Sequence, residues 1–328
     1  MSEKPSSLPG WNHTPAVPLQ VSPFFQWPPR PVEMARWLWS SWFLLTERLI
    51  ILGIAFACVI WVQPPLTDTR TLAVGWIGEI WIRNIILMTV VAGGLHLYFY
   101  RWRRQDDRLK FDPRPLMTKG KQFSLGGQIR DNMFWTLASG VTVWTAYEVL
   151  MFWAMANGWA PVLTWADSPV WFVALFLLIP IWESFYFYWI HRMLHWPPLY
   201  KRVHALHHRN INVGPWSGMS MHPVEHVIFL GSVLIHWVVP ASPVHILFHT
   251  QYLALTAATT HTGYEALLMK DENRLKLGTF HHQMHHRYFE CNYGSLEIPW
   301  DKLFGSFHNG TLEDNERIKE RRKRIMSS

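Results

Sequence analysis

The sequence predicts an all-α integral membrane protein with about four transmembrane helices, a re-entrant helical hairpin and a cytosolic, histidine-rich helical cap. Three observations carry that prediction. Apolar residues make up 49% of the 328-residue chain and charged residues only 16%, a balance that excludes an ordinary soluble domain. Four stretches approach the ~20 apolar residues needed to cross ~30 Å of hydrocarbon. Fifteen of the 18 histidines fall between His191 and His286, where the apolar stretches give way to polar ones.

Residues 1–34 form a proline-rich arm, with Pro28, Pro29 and Pro31 close together and no apolar periodicity. A flexible or surface-lying segment is expected. It lacks the short apolar core and small-residue cleavage site of a secretory signal, so no cleavage is expected. Residues 35–165 hold the N-terminal membrane helices. The expected spans are Trp42–Val62, Ile80–Tyr100 and Met133–Ala156, with a fourth, Val170–Ile190, opening the next region. Glu47, Arg48 and Glu148 lie within or beside these spans, and charges at that depth usually face protein or a cavity.

Orientation follows from the loops. Arg101, Arg103, Arg104, Arg108, Lys110, Arg114, Lys119 and Lys121 follow the second span, whereas residues 157–168 contain no Lys or Arg. The positive-inside rule puts residues 101–130 in the cytoplasm, with 63–79 and 157–168 outside. Alternation then returns the chain to the cytoplasm after Ile190, where the histidines begin. The stretch Val227–Thr260 is broken by Pro240 and Pro243 into arms too short for an easy crossing, and histidines flank both ends. A hairpin that inserts partway and returns is expected, within a catalytic region spanning 166–308. The tail 309–328 is highly charged and reads as a solvated helix against the anionic inner leaflet, not a nucleic-acid-binding arm. Cys58 and Cys291 give no disulfide framework.

The chemistry is in the histidine spacing. HRMLH places His191 and His195 at i and i+4, on one helical face. HALHH supplies His204, His207 and His208, and HHQMHH supplies His282, His285 and His286, with His281 turned partly aside. His222 and His261 stand at the two ends of the expected hairpin, placed to complete a shell; His226, one turn past His222, competes for that role. His13, His96, His236, His245, His249 and His308 are singles, expected to be hydrogen-bonded neutral imidazoles. Ten converging imidazoles exceed the six positions of one octahedral ion, so two ions are implied. Structural zinc is satisfied by four ligands, usually including cysteine. Imidazole also suits iron, copper and nickel. A site beside hydrophobic volume with open positions favours iron and O2 chemistry. A metal transporter would instead line a path through the bilayer midplane with its histidines.

The motifs HxxxH, HxxHH and HxxHH, in this order, resemble the fatty acid hydroxylase/sterol desaturase superfamily. The segments LYKRVHALHH from Leu199, MHPVE from Met221 and HHQMHHRYFECNYGSLEIPWDKLFGSF from His281 to Phe307 are similar to sterol C5-desaturases. The resemblance covers about residues 170–308 and departs from those enzymes at Asn212–Trp216 and at Glu225. It implies a membrane di-iron centre held by the eight box histidines, O2, and a lipid or sterol substrate that is hydroxylated or desaturated. It also implies an external electron donor, such as cytochrome b5 or a ferredoxin with its reductase, because no GxGxxG or CxxC reductase motif is present. Trp182, Phe185, Phe187 and Trp189 are expected to wall the substrate site.

Overall fold

The computed structural model describes residues 8–327. Three of its helical segments are long and apolar enough to cross a membrane: Pro31–Trp61, Val74–Arg101 and Pro169–Leu194. The first comprises α1 (Pro31–Leu38), a π turn at Trp39–Phe43 and α2 (Glu47–Trp61), with a break at 44–46. Thr46 closes that break by accepting a hydrogen bond from the Leu49 amide, which caps an otherwise orphaned donor of α2. The second segment is α3, Val74–Arg101.

The expected span Met133–Ala156 lies in a continuous helix, α4, over 128–156. It is the least lipid-like of the four. Arg130, Asp131 and Glu148 interrupt its sequence, and Trp144, Thr145, Glu148, Met151 and Phe152 are all buried by neighbouring helices. Glu148 is tolerated there because every acceptor position finds a donor. Arg83 and Asn84 of α3 reach one carboxylate oxygen, and the Trp144 indole (2.8 Å) and Thr250 hydroxyl (2.7 Å) reach the other.

The fourth segment is α5, Pro169–Leu194, which begins with proline at its first turn and runs directly into the first histidine pair. A short helical run, α6 (197–208), carries the second box and contains a π turn at Tyr200–His204. The hairpin consists of α7 (Pro223–Trp237), whose last turns are 3-10, and α8 (Pro243–Thr260). Prolines open both arms, and the turn between them contains Pro240.

The arms run the length of the bundle. Ala241 at the tip bridges to Val162, and its carbonyl accepts the Leu163 amide at 2.9 Å, so the tip joins the 157–168 loop at the end of the bundle opposite the histidines. Length accounts for this: 18 residues of α8 rise about 27 Å, and the 3-10 turns of α7 add about 2 Å per residue. α8 is apolar on nearly all sides and is the buried centre of the bundle, packed against α2, α4 and α5.

Two further features complete the cap, the first a departure from the all-helical expectation and the second the surface-lying form of the arm. A two-stranded antiparallel ribbon, β1 (Ala266–Met269) and β2 (Glu272–Lys276), interrupts the all-helical cap. The proline-rich arm, from Leu8 onward, is strapped to the cap and does not hang free. Trp11 and Leu19 are buried with Phe111, Phe280 and Met284, and the Arg287 guanidinium sits 4.1 Å over the Trp11 ring. The cap is completed by α9 (Phe280–Tyr288), the short α10 (Trp300–Leu303) and α11 (Leu312–Ser327), the charged tail helix.

Candidate metal centre

Nine of the ten expected ligand histidines converge, all of them buried, in two groups. His191, His195, His204, His208 and His285 form one; His207, His261, His282 and His286 form the other. Within each group the ligand nitrogens lie within 4.8 Å of one another. Helical geometry explains how the boxes are shared. Residues four apart lie on one face, so His191/His195 and His204/His208 serve the first group while His282/His286 serve the second. Neighbouring residues diverge by about 100°, so each HH pair splits: His207 and His208 face different groups, as do His285 and His286.

The ring nitrogens are sorted by what lies behind them. The Nδ1 of His191 faces the Tyr293 carbonyl at 2.7 Å, that of His285 the Cys291 carbonyl at 2.6 Å, and that of His261 the Ala257 carbonyl at 2.8 Å. The Nδ1 of His204 faces the Glu225 carboxylate at 2.7 Å. Each carbonyl or carboxylate accepts a hydrogen bond from Nδ1–H, so the proton sits on Nδ1 and Nε2 of each ring presents a bare lone pair. The Nε2 atoms of His191 and His204 have no partner among the described residues.

Other Nε2 atoms face one another across short gaps. His208 lies 3.0 Å from His285 and 3.1 Å from His195; His261 lies 3.0 Å from His282 and 3.1 Å from His286. Two nitrogens each roughly 2.1 Å from one ion are roughly 3.0 Å apart when bound at right angles and roughly 3.4 Å apart in a tetrahedron. The five imidazoles of the first group also exceed the four positions of a tetrahedral zinc site. Burial pulls the His204 ring down to about 3. Burial and then the surrounding imidazoles hold His207, His208, His282, His285 and His286 well below the ordinary histidine value. All are neutral near pH 7, the form that binds a cation.

His222 is not among them. It sits at the N-terminus of α7, where its Nδ1 accepts the Val224 amide at 3.2 Å, and Pro223 turns the chain so that its ring caps the helix instead of entering the cluster. His226 does not replace it, because its ring is held between Ser139 (2.9 Å) and the Met219 carbonyl (3.0 Å). The residue from this helix that does reach the centre is Glu225, through His204, which spacing alone did not single out as a site residue. His281 turns aside toward Asp301, 3.7 Å away. Of the single histidines, His13, His236, His245, His249 and His308 have hydrogen-bond partners, and His96 stacks on Tyr100.

The two groups open on a cavity of about 270 Å3 that descends into the bundle. One face of α5 lines it: Pro180, Glu183, Ser184, Phe187, Ile190, His191 and Leu194, spaced at three and four residues. Leu253, Thr256, Ala257 and Thr260 of α8 form the opposite wall. Of the four expected aromatic walls only Phe187 contributes. Trp182, Phe185 and Trp189 fall outside that stripe; Phe185 and Trp189 are outward and exposed, and Trp182 donates to the Ser232 carbonyl. Gly218 is required where the loop before α7 crosses α8, since a Cβ there would lie 1.9 Å from the Ala257 carbonyl oxygen that orients His261.

Residues 176–306 match the family model described as fatty acid hydroxylase. This stretch is similar to the fatty acid hydroxylase family. It holds all nine converging histidines and most of the cavity wall. A Delta(7)-sterol 5(6)-desaturase of Aspergillus fumigatus is 30% identical over 167 residues, which cover 49% of this chain and 46% of that relative. A second, of Gibberella zeae, is 28% identical and the match covers 70% of this chain and 68% of the relative. A third, of Saccharomyces cerevisiae, is 34% identical over 37% of this chain and 32% of its own length. The chain thus spans about half the length of the first of these relatives. No solved structure matches it.

The matched stretch does not close its cavity alone. Glu47 and Arg48 of α2, which lie outside the matched residues, line the cavity beside Tyr252 and Glu297. Arg48 is buried, pairs with Glu297 and stacks over Trp42 at 4.6 Å, so the N-terminal helices supply one side of the chamber.

Proposed function

We propose that this chain is a membrane-bound di-iron oxygenase that uses O2 to hydroxylate or desaturate a C–H bond of a lipid. The observation that carries the reading is the pair of buried imidazole groups, each with bare nitrogens converging on one point, at the head of an apolar cavity within the membrane bundle. His191, His195, His204, His208 and His285 would hold one iron, and His207, His261, His282 and His286 the other. Iron bound there would supply O2 activation for attack on an unactivated C–H bond.

The chain's own residues do the rest. Phe187, Ile190, Leu253 and Ala257 hold the alkyl or ring portion by burial, at about 25 cal/mol per Å2 of apolar surface. The same walls keep water from the reacting carbon. Glu225 and the Tyr293, Cys291 and Ala257 carbonyls keep the ligand rings aimed.

Each turnover takes two electrons and two protons. Hydroxylation of R–H consumes one O2 and yields R–OH and one water; desaturation yields an alkene and two waters. Electrons come from a separate one-electron carrier, cytochrome b5 or a ferredoxin with its reductase, docking on the basic face that includes Arg101, Arg103 and Arg104. That face and the metal centre lie on the cytoplasmic side in this reading. The sterol desaturase relatives make a Delta(7)-sterol the first substrate to try, with acyl and ether lipids beside it.

Purified protein given reductant, an electron carrier, O2 and membrane lipids is expected to yield a lipid heavier by one oxygen or lighter by two hydrogens. His208→Ala and His285→Ala are each expected to abolish turnover and lower bound iron, while His308→Ala leaves both intact. Full activity in either box variant would remove the assignment, as would purified protein that turns over without iron.

A further inference from the structure

We propose that Glu183 is a substrate-positioning residue that accepts a hydrogen bond from a hydroxyl of the lipid, remote from the carbon that reacts. The inference rests on the cavity being the substrate site, as in the function proposed above.

Glu183 lies on α5 in the stripe that lines the cavity, two turns and eight residues before His191, or about 12 Å along the helix. It is 4% exposed. A carboxylate in an apolar bundle is costly unless its oxygens are matched with donors. Only one of them is: Oε1 takes the Nε2–H of His249, whose other nitrogen lies 2.9 Å from Nε2 of His236. Oε2 is buried with no partner among the described residues, and so is the hydroxyl of the next residue, Ser184, which also lines the cavity.

Glu148, another buried carboxylate of the membrane bundle, shows the fully matched case: both of its oxygens are filled, by Arg83, Asn84, Trp144 and Thr250. Glu183 instead lines the chamber with one oxygen unmatched, while His249 and His236 brace the other.

The group that completes it must donate a hydrogen bond and arrive on an apolar body. That describes a lipid hydroxyl. With the donor at Glu183 and the reacting carbon near His191, the two are separated by on the order of 10 Å. A site built to receive a donor rejects the analogue that lacks one far more strongly than it distinguishes alkyl shapes, because the unmatched carboxylate stays buried.

The test is competition binding in detergent with two matched pairs of probes: hexadecanol against hexadecyl methyl ether, and a Delta(7)-sterol against its 3-O-methyl ether. In the unaltered protein at least one alcohol is expected to bind about 10- to 100-fold more tightly than its ether, the range of a hydrogen bond to a charged acceptor. Glu183→Gln keeps an oxygen for His249 and puts an amide NH2 where Oε2 was; it is expected to lose most of that preference at unchanged iron content. Equal binding of alcohol and ether in the unaltered protein overturns the proposal without any variant being needed. A Glu183→Gln protein that keeps the full preference, or that slows every substrate alike, overturns it too and assigns the chain of Glu183, His249 and His236 to proton transfer or folding. Lipid oxidation without any alcohol preference leaves the proposed function standing and removes only this inference; preference without oxidation does the reverse.

Discussion

At the scale of single residues, the centre depends as much on what stands behind each imidazole as on the imidazole itself. His204 is the clearest case. Its Nδ1 meets Glu225 at 2.7 Å, both groups are buried, and its Nε2 is aimed at the cluster with nothing else to bond. Losing a partner of this kind typically lowers metal affinity 10- to 100-fold. Glu225→Gln is therefore expected to weaken iron binding by about that factor while the protein still folds, read by titrating the iron-free protein with Fe(II). His222→Ala, three residues earlier, removes only a helix cap and is expected to cost about 1 kcal/mol of stability with iron binding unchanged. If the two variants exchange phenotypes, with His222→Ala losing iron and Glu225→Gln keeping it, the placement of this helix start is wrong.

At the scale of elements, what the sequence made legible is what depends on local period. The HxxxH and HxxHH spacings read directly as helical faces, and eight box histidines came together as that reading required. His261 was legible only as the end of an apolar stretch, and that sufficed, because α8 delivers it from the membrane side. His222 failed by the same reasoning, because proximity to a hairpin end says nothing about which way Pro223 turns the ring. Glu225 gave no periodic signal, since its role exists only through a contact with a residue 21 positions earlier. The reach of the hairpin along the bundle was not legible, because counting residues at 1.5 Å per residue overlooks the longer rise of the 3-10 turns of α7 and the pairing of the tip with Leu163. That pairing has a consequence for topology. Single cysteines at Asn157 and Val238, both exposed, are expected to react with an impermeant thiol reagent from one side of the membrane, and a cysteine at Lys121 from the other. Val238→Cys labelled from the same side as Lys121→Cys would show that the hairpin does not cross.

At the scale of the whole molecule, the bundle and the cap are held together by different means. The bundle has a continuous apolar core running through Trp144, Met151, Leu247 and Phe248 and a fully matched polar cluster around Glu148. The cap has a much smaller apolar core of its own, around Trp11, Phe111 and Phe280. Its remaining segments, the end of α5, α6, the end of α8 and α9, meet chiefly where their histidines meet. Bare imidazole nitrogens 3.0–3.2 Å apart repel one another without a cation between them, so ions bound as proposed would hold these segments in place. Metal binding to the folded chain stabilises it by about 2.7 kcal/mol at a hundredfold excess over Kd, and that stabilisation belongs to the cap. Stripping the protein with a chelator is thus expected to accelerate protease cleavage within 195–300, first in the loops at 209–222 and 289–299. The helices Val74–Arg101 and Pro169–Leu194 should stay resistant, and Fe(II) should restore protection. A chelated protein cleaved at the same rate and at the same sites as the iron-loaded one would mean that the cap folds independently of its metals. The nine histidines would then have to be held by packing alone, against the repulsion of their own lone pairs.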